Sequence, residues 1–201
     1  MKRATLSVTS VAVLVLTVLA GVSPANAEPQ KVQPSVVTTA GMNAIGYDES
    51  VAEANGFHIV THPDGSWETV AVTPTAKKIE AAYGGPTLID PNGPVASKVT
   101  VYGNCGSSYI QVLRSGSAWR ANTGYSVTAP VANRISWTVQ VASLGGIPSY
   151  TWPPSPTGAI WNGAVTFATG GFGGSVFVTP GSSVLLINGT ICSSGSPAEN
   201  Y

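Results

Sequence analysis

The stretch Arg134-Ile135-Ser136-Trp137-Thr138-Val139-Gln140-Val141-Ala142-Ser143 (RISWTVQVAS) places apolar side chains at every second position over most of its length. Successive side chains of a β-strand point to opposite faces, so Ile135, Trp137, Val139 and Val141 share one side while Ser136, Thr138 and Gln140 share the other. A row as apolar as the first has to be buried. The pattern predicts a strand that lies over a hydrophobic core and keeps its second face polar.

The same reading extends in both directions. Segments 97–102, 108–114, 119–127, 159–169, 175–179 and 182–192 are rich in Val, Ile, Thr and aromatic residues, and Gly, Pro and Asn separate them. Asn162-Gly163, Asn188-Gly189 and Pro180-Gly181 each mark a tight turn or bulge. Seven strands in about 100 residues suit a two-sheet domain with one core. The predicted fold is mainly β: an immunoglobulin-like or related β-sandwich over 95–196, carrying one disulfide and preceded by a small α+β segment of helix, hairpin and helix over 44–85.

Only two cysteines exist, Cys105 and Cys192. Cys105 sits in VYGNCGSSYI (101–110), where a nucleophile or a metal ligand is conceivable. A nucleophile needs a neighbouring base and a structural zinc site needs about four ligands, and the surrounding sequence offers neither. In an oxidising compartment the two thiols pair. Closing so long a loop stabilises the fold by about 4 to 5 kcal/mol in the chain-entropy model. Cys105 precedes an early strand and Cys192 ends the last, so the bond is expected to run between the two sheets.

Charge divides the chain. Between Glu28 and Asp90 carboxylates outnumber lysines, whereas from Pro91 to Ala198 the only charged side chains are Lys98, Arg114, Arg120 and Arg134, with no Asp, Glu or His. Paired-carboxylate glycoside hydrolysis, Ser-His-Asp catalysis, carboxylate calcium sites and histidine metal sites all require side chains that this half lacks. No cofactor is expected. Lys+Arg and Asp+Glu number 9 each over the whole chain, so no basic field points to nucleic acid.

The N-terminal part reads as an address followed by a short structured segment. Lys2 and Arg3, the apolar run from Val11 to Ala20, and Ala25-Asn26-Ala27 have the layout of a signal peptide over 1–27, its apolar run about half the ~20 residues of a bilayer span. Stable membrane insertion is therefore not expected. Residues 28–43 lack periodicity and are expected to form a flexible tail. A short helix follows, capped by Asp48 and closed at Asn55-Gly56. Phe57 to Val72 alternates around His62-Pro63-Asp64-Gly65, the pattern of a hairpin turning at Asp-Gly. A second helix is expected from Pro74 to Tyr83, with Thr73 as cap. The segment 86–94 is expected to link this acidic unit to a separate sandwich. His58 and His62 lie about 13 Å apart on a strand, too far to share an ion.

Two tempting motifs fail on context. Gly170-Gly171-Phe172-Gly173-Gly174 has no lysine and no following helix, so it is no phosphate loop, and no serine sits in a G-x-S-x-G elbow. The segment from Pro148 to Trp161 is different. Its four prolines suit a long stiff loop, and Tyr150, Trp152 and Trp161 with neighbouring Asn162 are the candidate ligand-binding residues. The competing reading is that Trp152 and Trp161 fold back over one end of the core. Trp119, Arg120 and Tyr125 form a secondary candidate surface.

The segments YDESVAEANGFHIVTHPDGSWETV (47–70) and VYGNCGSSYI (101–110), together with the export signal, resemble small secreted β-sandwich proteins of actinomycete type. The resemblance implies a secreted, two-part layout and carries over no catalytic residue. The expected function is that of a secreted, extracellular, non-catalytic binding or surface-interaction protein whose partner is an extracellular glycan or a protein. The alternative is an inhibitor of an extracellular protease or another secreted enzyme.

Overall fold

The computed structural model describes residues 36–83, 88–90, 103–128, 130–155, 158–170 and 173–201. The expected signal peptide and the expected strand over 97–102 lie outside them. The described residues belong to one compact unit, Pro34–Tyr201. Its elements are β1 (Val37–Tyr47), α1 (Glu49–Ala54), β2 (Phe57–Thr61), β3 (Trp67–Ala71), α2 (Pro74–Tyr83), β4 (Gly106–Ser115), β5 (Ala118–Val127), β6 (Ala132–Ser143), β7 (Ser149–Trp152), β8 (Ile160–Phe167), β9 (Gly174–Val178), β10 (Ser183–Leu186), β11 (Thr190–Ser193) and β12 (Ala198–Asn200). The fold is mainly β, as the alternation predicts.

Ten of these strands form one antiparallel path, β12-β9-β6-β10-β11-β1-β4-β5-β8, with β7 added on β6, and β2-β3 form a separate hairpin. β6 is the hinge of the architecture. Its first half pairs with β10 through Ser136↔Ser183 and its second half with β9 through Val139↔Val178, so β9 and β10 run in line along it. The path therefore wraps around a single core in a sandwich-like manner. Ile135, Trp137, Val139 and Val141 are all buried there, together with Ile110, Val112, Ala121 and Tyr125 from β4 and β5 and Val176 and Val178 from β9.

Cys105 and Cys192 are joined in a disulfide. Both halves stand against β1: Cys192 is registered opposite Ala44, and the Cys105 N–H donates to the Met42 carbonyl at 3.0 Å. In the order of the sheet, β11 and β4 are the two neighbours of β1. Cys105 immediately precedes β4, which pairs with the first part of β1, and Cys192 lies on β11, which pairs with the last part, so the bond ties together the two sheet segments that meet at β1.

β1 also corrects the expected tail over 28–43. Residues 37–43 are strand, paired with β4 from Val37↔Gln111 to Met42↔Gly106 and continuing onto β11. VTTAGM carries little apolar alternation because Thr38 shares the inward side with Ala40 and Met42 while Val37 lies on the outward side. Partners distant in the sequence supply its backbone hydrogen bonds, so no local signal marks it. Likewise 182–192 is not one strand but β10 and β11, folded back at Asn188-Gly189, where Gly189 has φ 87° and donates to the Leu186 carbonyl at 3.0 Å.

The α+β segment folds as its local signals predict. The Asp48 carboxylate accepts from the Val51 N–H at 3.1 Å and so caps α1, the Thr73 hydroxyl accepts from the Ala76 N–H at 3.2 Å in α2, and β2 and β3 pair from Phe57↔Ala71 to Thr61↔Trp67. It is not a separate unit, however. Phe57, Ile59, Trp67 and Ala71 form a second core that shares Ala44 of β1 with the main one. The Asp48 N–H donates to the Gly189 carbonyl at 2.8 Å, Asn188 Nδ2 donates to Thr69 Oγ1 at 3.1 Å, and a Cβ at Gly189 would meet Asp48 O at 2.6 Å. Within the expected linker, Ile89 is buried and exchanges both backbone hydrogen bonds with Trp67.

Candidate functional site

The sheet β1-β4-β5-β8 has an inner face, committed to the core, and an outer face whose composition is unlike it. Register assigns the rows of the outer face. Thr39, Tyr109, Gly124 and Asn162 stand side by side, then Val37, Gln111, Asn122 and Ala164, then Leu113, Arg120 and Thr166. The polar members of these rows are hydrogen-bonded to one another. Tyr109 Oη donates to Asn162 Oδ1 at 2.8 Å, reaching across Gly124, where an added Cβ would meet the Tyr109 ring at 2.8 Å and collide with the Trp161 carbonyl. Glycine is needed there because the ring crosses the strand at backbone distance. Arg120 Nε donates to Asn122 Oδ1, and Asn122 Nδ2 donates to Gln111 Oε1, both at 3.1 Å.

These bonds preorganise the face. Gln111 Oε1 and Asn162 Oδ1 each accept a bond from a neighbour and Asn122 is engaged at both ends of its amide, so the three carboxamides are held in fixed orientations at reduced entropic cost to a ligand. Burial raises the pKa of the Tyr109 phenol above its ordinary value. The arrangement presents an aromatic ring, three carboxamides and one guanidinium, a set suited to hydrogen bonding and ring stacking.

The sequence-derived candidates divide between the two faces. Asn162 is exposed on the outer face, and so is Arg120. Trp161 faces inward: its ring lies 5.9 Å from both Tyr125 and Trp137, and Trp152 meets it edge-on at 5.5 Å. Tyr150 and Trp152 stand on β7, registered opposite Val139 and Trp137, and pack against the same core. The expected stiff loop thus contains a strand, and its rings cover the core where β7 and β8 approach. Tyr125 is 1% exposed, and its burial withdraws it from any surface contact. Trp119 also points inward, next to Tyr201 at 5.2 Å, with the Arg114 guanidinium 4.9 Å over its ring, so Trp119, Arg120 and Tyr125 do not share a surface.

Tyr109, Gln111 and Asn122 were missed as site residues. Their signal is present, since SYIQVLR and RANTGYS alternate large polar and core residues, but only register shows that the two polar rows are adjacent.

Elsewhere the chemistry is structural. Among the described residues no group of three or more His, Cys, Asp or Glu could hold a metal ion. His58 is exposed on β2, and His62 Nε2 lies 3.6 Å from Glu68. A cavity of about 60 Å³ between the two cores is lined by Phe57, Glu80, Ile89, Asn104, Leu186 and Asn188, among others. Three of its polar side chains are occupied locally: Glu80 accepts from Ala71, Asn104 from Ala44, and Asn188 bonds Thr69 and Thr190. No helix among the described residues is long and apolar enough to cross a membrane. No family model, curated protein or solved structure matches the chain.

Proposed function

We propose that the chain is a secreted, non-catalytic binding module that holds an extracellular glycan on the outer face of β4, β5 and β8. The observation that carries this reading is the hydrogen-bonded row Arg120-Asn122-Gln111 beside the Tyr109-Asn162 pair. Sugar hydroxyls take paired donors and acceptors from carboxamides, and the apolar face of a pyranose stacks on an aromatic ring without help from an acid or a base. The disulfide suits an oxidising exterior, and the N-terminal signal layout supports export. A secreted sample would then begin at Glu28, which N-terminal mass mapping reads directly.

The test is titration of the purified chain with a panel of neutral and acidic oligosaccharides, followed by calorimetry. Binding should fall at least tenfold in Tyr109→Ala and in Asn122→Ala while both variants melt near the wild type. Undiminished binding in both variants, or no binding by the wild type, overturns the reading.

A second observation favours the alternative of a protein partner such as a secreted protease. The turn between β6 and β7 carries Leu144, 85% exposed, and Ile147, 64% exposed, on a hairpin closed by reciprocal Ser143 and Gly146 backbone bonds. Inhibition of any member of a secreted-protease panel, lost in Leu144→Ser, would favour this reading over the glycan one.

A further inference from the structure

β8 ends the sheet path and, among the described residues, pairs only with β5. Which of its backbone groups face the other way follows from the register. The Val127 N–H donates to the Ala159 carbonyl at 2.9 Å, immediately beyond the pair Ser126↔Ile160. Antiparallel ladders alternate between hydrogen-bonded and non-hydrogen-bonded pairs, so Trp161, Gly163, Val165 and Phe167 direct their N–H and C=O groups to β5. Ile160, Asn162, Ala164 and Thr166 direct theirs away from it. Among the described residues no backbone group meets them, and all four residues are exposed.

An edge of this length is a template for another strand, and proteins that keep such edges single guard them with lysine, proline, a bulge or a short strand. β8 has none of these. It runs eight residues without a register shift in its pairing to β5, and no charged residue occurs anywhere from Ile135 to Ala198. Ile160, 65% exposed, adds an apolar side chain at the edge.

We infer that this edge pairs with a second copy of the chain, β8 against β8 in antiparallel register about a two-fold axis. The strand is self-complementary in the sense that such an axis requires. Outer-face residues must oppose outer-face residues, and edge-directed groups must oppose edge-directed groups. An axis at Gly163 satisfies both: Ile160 opposes Thr166 of the second copy and Asn162 opposes Ala164, so all four edge-directed residues are paired. An axis at Ala164 leaves Ile160 without a partner. The absence of charge lets two identical strands meet without like-charge repulsion, which a lysine edge would prevent. Pairing also joins the two outer faces into one surface, with both Asn162 side chains near the axis.

The experiment is light scattering after size-exclusion chromatography over a range of concentrations, with amide hydrogen exchange on the same samples. The wild type should show twice the monomer mass, with slow exchange at Ile160, Asn162, Ala164 and Thr166. Ala164→Lys brings two ammonium groups next to the axis, and Ala164→Pro removes an edge-directed N–H. Both should halve the mass while the circular dichroism spectrum stays that of the wild type. A wild type that is monomeric at every concentration, or a dimer that both variants leave intact, overturns the inference. Fast exchange at these four amides in a dimeric wild type overturns it as well, because the interface would then lie elsewhere.

Discussion

The two faces of β4, β5 and β8 are made by alternate residues of the same three strands, yet they do opposite things. On the inner face Ile110, Val112, Ala121, Tyr125 and Phe167 are buried, and polar contacts such as Trp137 Nε1 to Thr123 Oγ1 at 3.1 Å and Ser108 Oγ with Ser194 Oγ at 2.9 Å serve to satisfy groups inside the core. On the outer face Tyr109, Gln111, Asn122 and Asn162 bond to each other and remain accessible. Burial spends side chains on stability, whereas a laterally bonded, exposed row contributes little to stability and is free to recognise a ligand. The tryptophans that look most like binding residues in the sequence belong to the first group.

The largest expected effect tests the inner face at its centre. Trp137→Ala removes a fully buried ring and its bond to the Thr123 hydroxyl, which keeps its own bond to the Tyr109 carbonyl, at a cost of about 3 to 5 kcal/mol in chemical denaturation. A cost below about 1 kcal/mol would mean that the ring is not packed as described. Next come Trp152→Ala and Trp161→Ala, whose rings are half-buried at the margin. Each should cost about 2 to 3 kcal/mol, discounted from the fully buried case, and should leave ligand binding intact in the folded protein. Lost binding at near-normal stability would return these rings to the binding surface.

Tyr109→Ala and Gln111→Ala probe the outer face, and each should change stability by less than about 1 kcal/mol, since exposed hydrogen bonds are largely replaced by water. A change as large as that of Trp161→Ala would erase the distinction between the faces.

The smallest effect is electrostatic. Burial raises the Glu199 carboxyl above its ordinary 4.5, although its Oε2 accepts the Val112 N–H at 3.2 Å, whereas the Ser50 hydroxyl and the Val51 N–H lower that of Asp48 below 3.8. Glu199 holds its proton more tightly in the folded state. Its contribution is complete below about 4.5 and is lost as pH rises through the folded value. Asp48 has the opposite sign: its contribution is present above 3.8 and lost as pH falls through the lowered folded value. Melting curves between pH 3 and 7 should show Glu199→Gln relieving the first trend and Asp48→Asn the second. The same slope in both variants would contradict the assignment.

Features that depend on neighbours in the chain are legible before any strand pairs. Caps at Asp48 and Thr73, the Asp64-Gly65 turn and the alternation of Ile135 to Val141 each encode a local backbone choice through side chains a few residues apart, and each appears in the structure. The disulfide followed from there being only two cysteines. The remaining features depend on partners distant in the chain. β1 is a strand because β4 and β11 supply its hydrogen bonds, and no property of VTTAGM names such distant partners. The tryptophans of β7 and β8 face inward because of strand register, and a shift of one residue would have turned them outward. Tyr109, Gln111 and Asn122 share one face with Asn162 and Arg120 for the same reason: alternation assigns each residue to a face of its own strand, and only the pairing of strands decides which residues stand side by side.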